Sequence, residues 1–227
     1  MALSVEVDLR GRTFPRPAEV SSQPVPPAVI TPAAIKFAAI ILAAGESRRM
    51  GSPKALLPFR GGTFLSTLAD TFSARCCTVV AVFGFDGNNV RKKAPRNVIP
   101  VINADYHLGM LTSLQAGLCA LSSDYDAVLF TLVDHPAVKP ETIDALLACE
   151  GDIVIPRYEG KRGHPVLLRR RIALQYLLEP ETSKVRDVID RNADRIRYID
   201  VDDPGISDDV DDPERYEALL AREADGQ

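Results

Sequence analysis

The sequence predicts a three-layer α/β fold in which helices cover both faces of a mostly parallel central sheet. Short apolar segments with the length of buried strands alternate with segments whose apolar residues repeat at helical spacing. This alternation is typical of βαβ units, because parallel strands are joined by crossovers that usually contain a helix. The predicted strands are residues 37–43, 77–83, 98–102, 127–133 and 152–156, followed by 166–168 and 196–201. The predicted helices are residues 63–75, 112–121, 140–149, 171–178, 184–192 and 213–223.

The first half of this pattern rests on two apolar strands and the helix between them. Residues 37–43 read FAAIILA and residues 77–83 read CTVVAVF, and both have the length and the β-branched content of buried strands. From Phe64 to Phe72 the large apolar residues fall on one helical face, which predicts a helix that packs on the sheet. The stretch that begins at Gly84 is turn-rich and precedes the third strand.

The second half repeats the alternation and then departs from it. Leu114 and Leu118 form one stripe of a helix, and residues 127–133 (AVLFTLV) are a further buried strand. The next helix begins with Pro140 and a glutamate, which both suit the first turn of a helix. Residues 158–163 (YEGKRG) predict a tight excursion, after which a returning strand is expected.

The first 35 residues differ from the rest of the chain. We interpret residues 1–35 as a proline-rich extension and residues 36–227 as a single domain, since 227 residues suffice for one sizeable core. Residues 3–9 alternate apolar and polar side chains and are a candidate strand, in this subunit or in a neighbour. The prolines that indicate a semi-rigid arm are Pro15, Pro17, Pro24, Pro26, Pro27 and Pro32.

Composition narrows the classes of function. The net charge of −4 argues against nonspecific nucleic-acid binding as the main task, so no nucleic-acid partner is expected. The longest apolar run has about eight residues, too few to span a bilayer. The N-terminus lacks the hydrophobic region of a signal peptide, and the four cysteines lack metal-ligand spacing. We therefore expect a cytoplasmic protein with reduced thiols and no membrane partner.

Residues 42–54, LAAGESRRMGSPK, follow the first strand and contain glycines and basic residues. Backbone N–H groups can approach an anion where no Cβ intervenes, so such a loop is a plausible polyphosphate cradle, although similar loops also serve as solvated turns. A Walker A loop is excluded, because Lys54 comes three positions after Gly51 instead of directly after it. A dinucleotide fingerprint is also excluded, since no glycine lies two positions from Gly45.

Acidic residues supply candidates for a metal site. Asp134 directly follows a buried strand, on the edge of the sheet where the basic loop begins, and its carboxylate is suited to Mg²⁺. The alternative is that Asp134 caps the following helix. In the run 208–212 (DDVDD), Asp209 and Asp211 point to the same side of an extended segment. Such a run before a helix also favours the helix dipole and solvent, so both interpretations remain open.

Two further loops complete the set of candidates. Asn103, Gly109 and Ser113 precede a helix, where they could present amides and hydroxyls to a nucleotide or to its reaction partner. His164 lies in a Gly-His-Pro loop, where a lone histidine is more often a structural hydrogen-bond partner than a base.

Five separated motifs resemble those of the molybdenum-cofactor nucleotidyltransferases and occur in the same order. They are LAAGESRRMGSPK, Asn103 with GM-x-x-S, LVDHP, RGHPVL and DVDDPERY. The chain looks most similar to the cytidylyltransferase branch, and the likeness covers roughly residues 36–222. The resemblance implies a Rossmann-like nucleotidyltransferase fold, an enzyme that uses an NTP with Mg²⁺, and release of pyrophosphate. The implied partners are CTP and a phosphorylated small molecule, molybdopterin, with a molybdoenzyme as a further candidate.

The resemblance also assigns roles to individual residues. It places the nucleotide against Leu42, Ala43, Ala44 and Gly45, with Asn103, Gly109 and Ser113 nearby. Arg48 and Lys54 contact the triphosphate and, with Asp134, form the catalytic set. Asp134 binds Mg²⁺, with Asp211 as the second ligand and Asp209 as its alternative. His164 and Arg186 are candidates for acceptor binding.

Two features bear on the substrates that the resemblance implies. Guanylyltransferase relatives carry glycine where this chain has Ala44, which favours CTP over GTP. The family's glycine-containing GDxGAR-like segment is replaced by Glu181–Asp187 (ETSKVRD), which leaves the acceptor open. A sugar phosphate or another phosphorylated metabolite is the first alternative acceptor. A nucleotide-binding protein that delivers cofactor without turnover is the alternative from another class.

Overall fold

The structure is a computed structural model that describes residues 5–7, 13–15 and 35–225. The chain separates into two compact units, which are residues 1–34 and residues 35–227. The candidate functional residues named above all belong to the second unit.

The first unit contains one described hairpin. Strand β1 (Val5–Val7) pairs antiparallel with strand β2 (Thr13–Pro15), so its partner lies in the same chain. β1 falls inside the segment that alternation marks as a candidate strand. The predicted proline-rich arm falls mainly on residues 16–34, which lie outside the described residues.

The second unit alternates strands and helices. Its strands are β3 (Phe37–Ala43), β4 (Pro58–Phe59), β5 (Gly62–Thr63), β6 (Thr78–Phe83), β7 (Ile99–Ile102), β8 (Ala127–Leu132), β9 (Ile153–Tyr158), β10 (Lys161–Arg162), β11 (Val166–Arg169) and β12 (Ile196–Asp200). Its helices are α1 (Phe64–Ser73), α2 (Gly87–Lys92), α3 (Met110–Ala120), α4 (Pro140–Ala148), α5 (Arg170–Tyr176), α6 (Val185–Arg191) and α7 (Pro213–Asp225). None of these helices combines the length and the apolar character that a bilayer span requires.

The central sheet is mostly parallel, as predicted. Strands β8, β3, β6 and β7 lie side by side in that order, and each neighbouring pair is parallel. Beyond β8, strand β11 pairs antiparallel with both β8 and β9, and β12 pairs parallel with the far edge of β9. The excursion predicted after β9 is a hairpin in which β10 pairs with the end of β9. The α/β fold class is therefore confirmed.

Strand β3 lies at the centre of the sheet and contributes to the core on both faces. Ala39 and Ile41 pack in one apolar cluster with α1 and α4, whereas Ile40 packs in a second cluster with α3 and α5. This alternation follows from the period of two in a strand. Because helices cover both faces of the sheet, each strand is a continuous apolar run. This pattern allowed the strands to be predicted from the sequence.

One helix and one hairpin were not anticipated. The turn-rich stretch after Gly84 contains the short helix α2, whose sequence GNNVRK has little helix propensity. The pair β4–β5 forms a two-stranded hairpin before α1, where two residues per strand carry no periodic signal. In both cases the local sequence is too short for a pattern to be detected, and contacts with the rest of the fold decide the conformation.

Candidate active site

A cavity of about 1060 Å³ opens at the carboxyl edge of the parallel strands. It is lined by the loop after β3, the ends of β6 and β8, the start of α3 and Asp211. In open α/β sheets the carboxyl ends of neighbouring strands form a common crevice, which is where ligands bind. The lining includes most of the residues predicted for the nucleotide, namely Leu42, Ala43, Ala44, Gly45, Arg48, Lys54, Gly109 and Ser113.

The loop of residues 44–54 has a defined backbone. The Ala44 carbonyl accepts a hydrogen bond from the Phe85 N–H at 3.2 Å, which fastens the loop to the end of β6. Ser47 has a left-handed φ of 52°, and its carbonyl accepts the N–H groups of Met50 and Gly51 in a tight turn. The Ser47 hydroxyl then accepts the N–H of Lys54 at 3.2 Å. These bonds leave Gly45 facing open space, where its backbone is accessible to an anion.

Lys54 is the charged centre of the cavity. Its Nζ donates to Asp134 Oδ2 at 3.0 Å and to Asp211 Oδ1 at 2.5 Å, and only 11% of its side chain is exposed. Burial lowers the pKa of Lys54, but the hydrogen bond with Asp211 and the charge of Asp134 outweigh burial and raise it overall. The hydrogen bond with Lys54 lowers the pKa of Asp211, which also accepts from Arg49 Nη2 at 2.6 Å. Lys54 is therefore a cation held between two carboxylates.

Three carboxylates converge beside Lys54. Oxygens of Asp134, Asp209 and Asp211 lie within 4.8 Å of one another. Asp134 Oδ1 is buried without a hydrogen-bond partner, and His135 Nε2 lies 3.7 Å from it, so this oxygen is left unsatisfied. Burial and the negative charges of Asp134 and Asp211 raise the pKa of Asp209. Hard oxygen ligands with excess negative charge are what Mg²⁺ and Mn²⁺ prefer, so the cluster fits a divalent cation.

Helix capping was the alternative role for these carboxylates, and other aspartates perform it. The segment before α4 is anchored by the buried Asp203, which accepts the Lys139 N–H and the Thr142 hydroxyl. Asp134 therefore does not cap that helix. In the run before α7, Asp212 accepts the Arg215 N–H at 2.9 Å. Part of the acidic run thus serves the helix, as one interpretation expected, while Asp211 lines the cavity and Asp209 belongs to the carboxylate cluster.

Arg48 and Asn103 occupy positions unlike that of Lys54. Arg48 lines the cavity rim with 83% of its side chain exposed and pairs with Glu46. Asn103 is buried, and its Nδ2 donates to the hydroxyls of Thr112 and Ser113 at 3.0 Å each. Asn103 therefore holds the start of α3 in place, and it is absent from the residues that line the cavity.

A second cavity of about 610 Å³ adjoins the first and shares Gly109 and Met110 with it. His164 and Arg186, the predicted acceptor residues, both line this second cavity. Most of its other lining residues are apolar or basic, and they include Leu108, Leu111, Phe130, Arg162, Lys184, Val185 and Ile189. Thr182 and Ser183 add hydroxyls, and Asp190 adds a carboxylate that pairs with Arg186 at 3.3 Å. The shared boundary means that ligands in the two cavities would lie next to each other.

His164 belongs to an aromatic stack behind the carboxylate cluster. Its ring stacks on His135 with centroids 5.1 Å apart and meets the edge of Phe130 at 5.5 Å. Burial, together with the neighbouring His135, lowers the pKa of His164 to about 4. Burial also lowers the pKa of His135. Both rings are thus neutral at pH 7, which makes His164 a packing group and a potential hydrogen-bond partner.

The sequence from strand β3 to the start of β12 matches a known family. The family model of the MobA-like NTP transferase domain matches residues 39–196, which is more than half of the chain. The chain belongs to the MobA-like NTP transferase family. The family predicted from the separated motifs is therefore confirmed, and so is the assignment of the chain to the nucleotidyltransferases.

Relatives of this MobA-like chain include proteins with different names. Molybdenum cofactor cytidylyltransferase of Escherichia coli (strain K12) is 29% identical over 153 residues, which cover 66% of this chain and 79% of that protein. Nicotine blue oxidoreductase of Paenarthrobacter nicotinovorans is 32% identical over 197 residues, which cover 80% of this chain and 95% of that protein.

A solved structure shares both the fold and part of the sequence of this MobA-like chain. Rv0371c from Mycobacterium tuberculosis H37Rv aligns with a TM-score of 0.71 at 25% identity, covering 82% of this chain and 98% of that chain. A crystal structure of Rv0371c in complex with manganese aligns with a TM-score of 0.63.

Some site residues of this MobA-like domain were missed by sequence reasoning. Arg49 contacts Asp211, and Phe85 and Tyr106 line the first cavity. Arg49 stands beside Arg48 in the loop, so sequence alone could not tell which arginine turns inward. Phe85 and Tyr106 lie in segments without a motif, and the only available signal was their position after predicted strands.

Proposed function

We propose that this protein transfers CMP from CTP to the phosphate monoester of molybdopterin and releases pyrophosphate, with Mg²⁺ as the metal. The observation that carries the proposal is the first cavity, in which a glycine-containing basic loop faces three converging carboxylates. A triphosphate needs cationic side chains and backbone N–H groups, and the metal that accompanies it needs carboxylates. The cavity offers both kinds of group on the same sheet edge.

In the proposed reaction an oxygen of the acceptor phosphate attacks the α-phosphorus of CTP. A new P–O bond forms as the bond to the β-phosphate oxygen breaks, and the negative charge leaves on pyrophosphate. Lys54, Arg48 and Arg49 carry the positive charges around the cavity that would stabilise this leaving group. The acceptor is itself the nucleophile, so catalysis consists mainly of positioning and charge stabilisation.

The carboxylate cluster is the part of the chain that would hold the metal. Asp134 and Asp211 are its proposed ligands, and Asp209 lies close enough to be a third. A bound Mg²⁺ neutralises phosphate charge and polarises the phosphorus for attack. The buried, unpartnered Asp134 Oδ1 supports this assignment, because a polar atom in that position otherwise lacks a partner.

The second cavity is the proposed acceptor site. It combines apolar walls from Leu108 and Met110 with the positive charges of Arg162, Lys184 and Arg186, of which Arg186 is paired with Asp190. This combination suits a flat ring system that carries an anionic group, which is the chemistry of a phosphorylated pterin. Since the cavity shares a boundary with the first, the acceptor phosphate would lie within reach of the α-phosphate.

Pyrophosphate release with each NTP, with and without molybdopterin, tests the proposal. We expect release with CTP and molybdopterin, and a loss of about a hundredfold or more in kcat for Asp134→Ala and for Lys54→Ala. The matched controls are Asp124→Ala and Lys36→Ala, because these residues form an exposed Lys–Asp pair away from the cavity. Wild-type rates in both cavity variants would overturn the proposal.

The same assay separates the alternatives. Pyrophosphate release with another phosphorylated metabolite but not with molybdopterin would identify a different acceptor. A preference for GTP over CTP would identify guanine as the nucleobase of the donor. Binding of CTP without release under any acceptor would favour a delivery protein, for which a molybdoenzyme is the expected recipient.

Oxidoreduction is a second candidate, because nicotine blue oxidoreductase aligns with 80% of this chain and 95% of its own length. Hydride transfer would use a bound electron donor and would have no need of the Lys54–carboxylate cluster. Consumption of a reduced nicotinamide with a dye acceptor, unaffected by Asp134→Ala, would support oxidoreduction. The cluster is the observation that favours nucleotidyl transfer.

A further inference from the structure

Lys54 occupies the position that a metal ion would compete for. Its Nζ bridges Asp134 Oδ2 and Asp211 Oδ1, and these two carboxylates are the proposed metal ligands. A divalent cation that enters the cluster therefore meets an ammonium group already bound to its ligands. Two positive charges a few ångströms apart repel each other strongly at a site that is shielded from water.

Arg49 makes a useful comparison with Lys54. Both donate to Asp211, but Arg49 does not contact Asp134 and leaves 66% of its side chain exposed. Lys54 is 11% exposed and holds two carboxylates at once. A solvated charge is screened by water and salt, whereas a largely buried bridging charge is screened much less. The competition with a metal should therefore depend on Lys54 and only weakly on Arg49.

We propose that Lys54 is an internal counter-cation that makes metal binding conditional on the nucleotide. This inference rests on the proposed function. Without nucleotide, Lys54 offsets part of the negative charge of Asp134 and Asp211, occupies one oxygen of each, and keeps metal affinity low. The triphosphate offers the Lys54 ammonium a second anionic partner in the same cavity, so the carboxylates are released to the metal. Because such coupling is reciprocal, the metal strengthens nucleotide binding by the same factor.

This coupling has a consequence for the order of binding. In the free protein Lys54 reduces the repulsion between Asp134 and Asp211, so these carboxylates can lie close together without a resident metal ion. Metal and nucleotide then enter as a pair, and metal bound without its substrate is disfavoured. This coupling requires a lysine within reach of both carboxylates and of the loop that would bind the triphosphate. Lys54 has that position, since it ends the loop and begins the turn Lys54–Leu56.

The test measures Mn²⁺ binding without turnover, by the paramagnetic resonance signal of free Mn²⁺, in wild type and variants without nucleotide. We expect Lys54→Met to bind Mn²⁺ at least about tenfold more tightly than wild type, because the competing charge is gone. Lys54→Arg keeps the charge and should bind Mn²⁺ as weakly as wild type. Arg49→Met, the matched control, should stay within about threefold of wild type.

A second titration adds a non-hydrolysable CTP analogue, with the affinity of the analogue itself for Mn²⁺ measured separately. Wild type should bind Mn²⁺ at least about tenfold more tightly with the analogue, and Lys54→Met should lose most of this gain. Equal or weaker nucleotide-free binding in Lys54→Met overturns the inference and leaves the proposed function intact. No Mn²⁺ binding by wild type in either condition overturns the metal site and the proposed function together. If Lys54→Met does not fold, Lys54→Gln provides the same comparison.

Discussion

Ala44 lies where β3 passes into the loop that lines the first cavity, and its side chain is 8% exposed. The loop approaches β6 at this residue, since the Ala44 carbonyl accepts a hydrogen bond from the Phe85 N–H. Under the proposed function, the Ala44 methyl group would leave less room for a purine than for a pyrimidine.

We predict that Ala44→Gly shifts the ratio of kcat/KM for CTP over GTP by about tenfold towards GTP. Removal of one methyl group from a binding pocket is worth about 1–3 kcal/mol in discrimination. The measurement is pyrophosphate release at varied CTP and GTP. Ala55→Gly is the control, because Ala55 is a buried alanine that lines the same cavity beyond the loop. An unchanged ratio in Ala44→Gly would show that base choice lies elsewhere.

Asn103 shows how a residue can belong to a functional motif without facing the ligand. Its side chain accepts the Asp105 N–H and donates to Thr112 and Ser113, so all of its bonds hold the loop before α3. The sequence identifies Asn103 as part of the motif. Only the packed fold shows that its side chain is buried beneath the loop and does not line the cavity.

At the scale of elements, the ends of β3 and β6 must approach closely to form the cavity. A Cβ at Gly84 would lie 2.5 Å from Tyr106 and 2.6 Å from the Ala44 carbonyl, so no larger side chain fits there. A Cβ at Gly45 would meet nothing within 4 Å. The two glycines therefore serve different purposes: one permits packing and the other leaves space for a ligand.

We predict that Gly84→Ala lowers the free energy of unfolding by about 1–3 kcal/mol, because the added methyl group overpacks the junction. Gly45→Ala should leave the free energy of unfolding within about 0.5 kcal/mol of the wild-type value. It should weaken CTP binding, since the added methyl group would take up space in the cavity that Gly45 lines. Chemical denaturation and CTP titration on the same two variants check both statements. Equal stability of the two variants would contradict the assigned roles.

The elements also show where sequence patterns succeed. β3 was predicted with its observed bounds, because a buried parallel strand is a continuous apolar run with clear ends. α2 was missed, since its six residues carry two asparagines and a glycine. A short element of low propensity forms because neighbouring contacts stabilise it, and those contacts are absent from the local sequence.

At the scale of the whole molecule, the buried histidine stack links stability to pH. Burial lowers the pKa of His164 from 6.5 to about 4. Between these values the unfolded chain binds a proton that the folded chain does not, so the free energy of unfolding falls as the pH falls. His164 therefore stabilises the fold fully above about pH 6.5, and this contribution is lost progressively towards pH 4.

We predict that the free energy of unfolding of the wild type falls by about 2–3 kcal/mol between pH 7 and pH 4 because of His164. His164→Gln should remove this part of the dependence of the unfolding free energy on pH. Urea denaturation at several pH values measures it, and slopes are compared because the variant also changes packing. His107→Gln is the control, since His107 is exposed. An unchanged slope in His164→Gln would show that the stack does not control the acid sensitivity.

The sequence by itself determined the parallel α/β sheet, the loop of residues 42–54 and the family, because each depends on patterns between near neighbours in the chain. The tertiary structure alone decided which charges meet. Lys54, Asp134 and Asp211 come from distant segments, and the crossovers of the sheet bring them to one edge. Electrostatic energy depends on distances between atoms, and chain order does not specify those distances. For this reason the sequence named the residues of the cavity, while the fold showed that a lysine already holds the carboxylates.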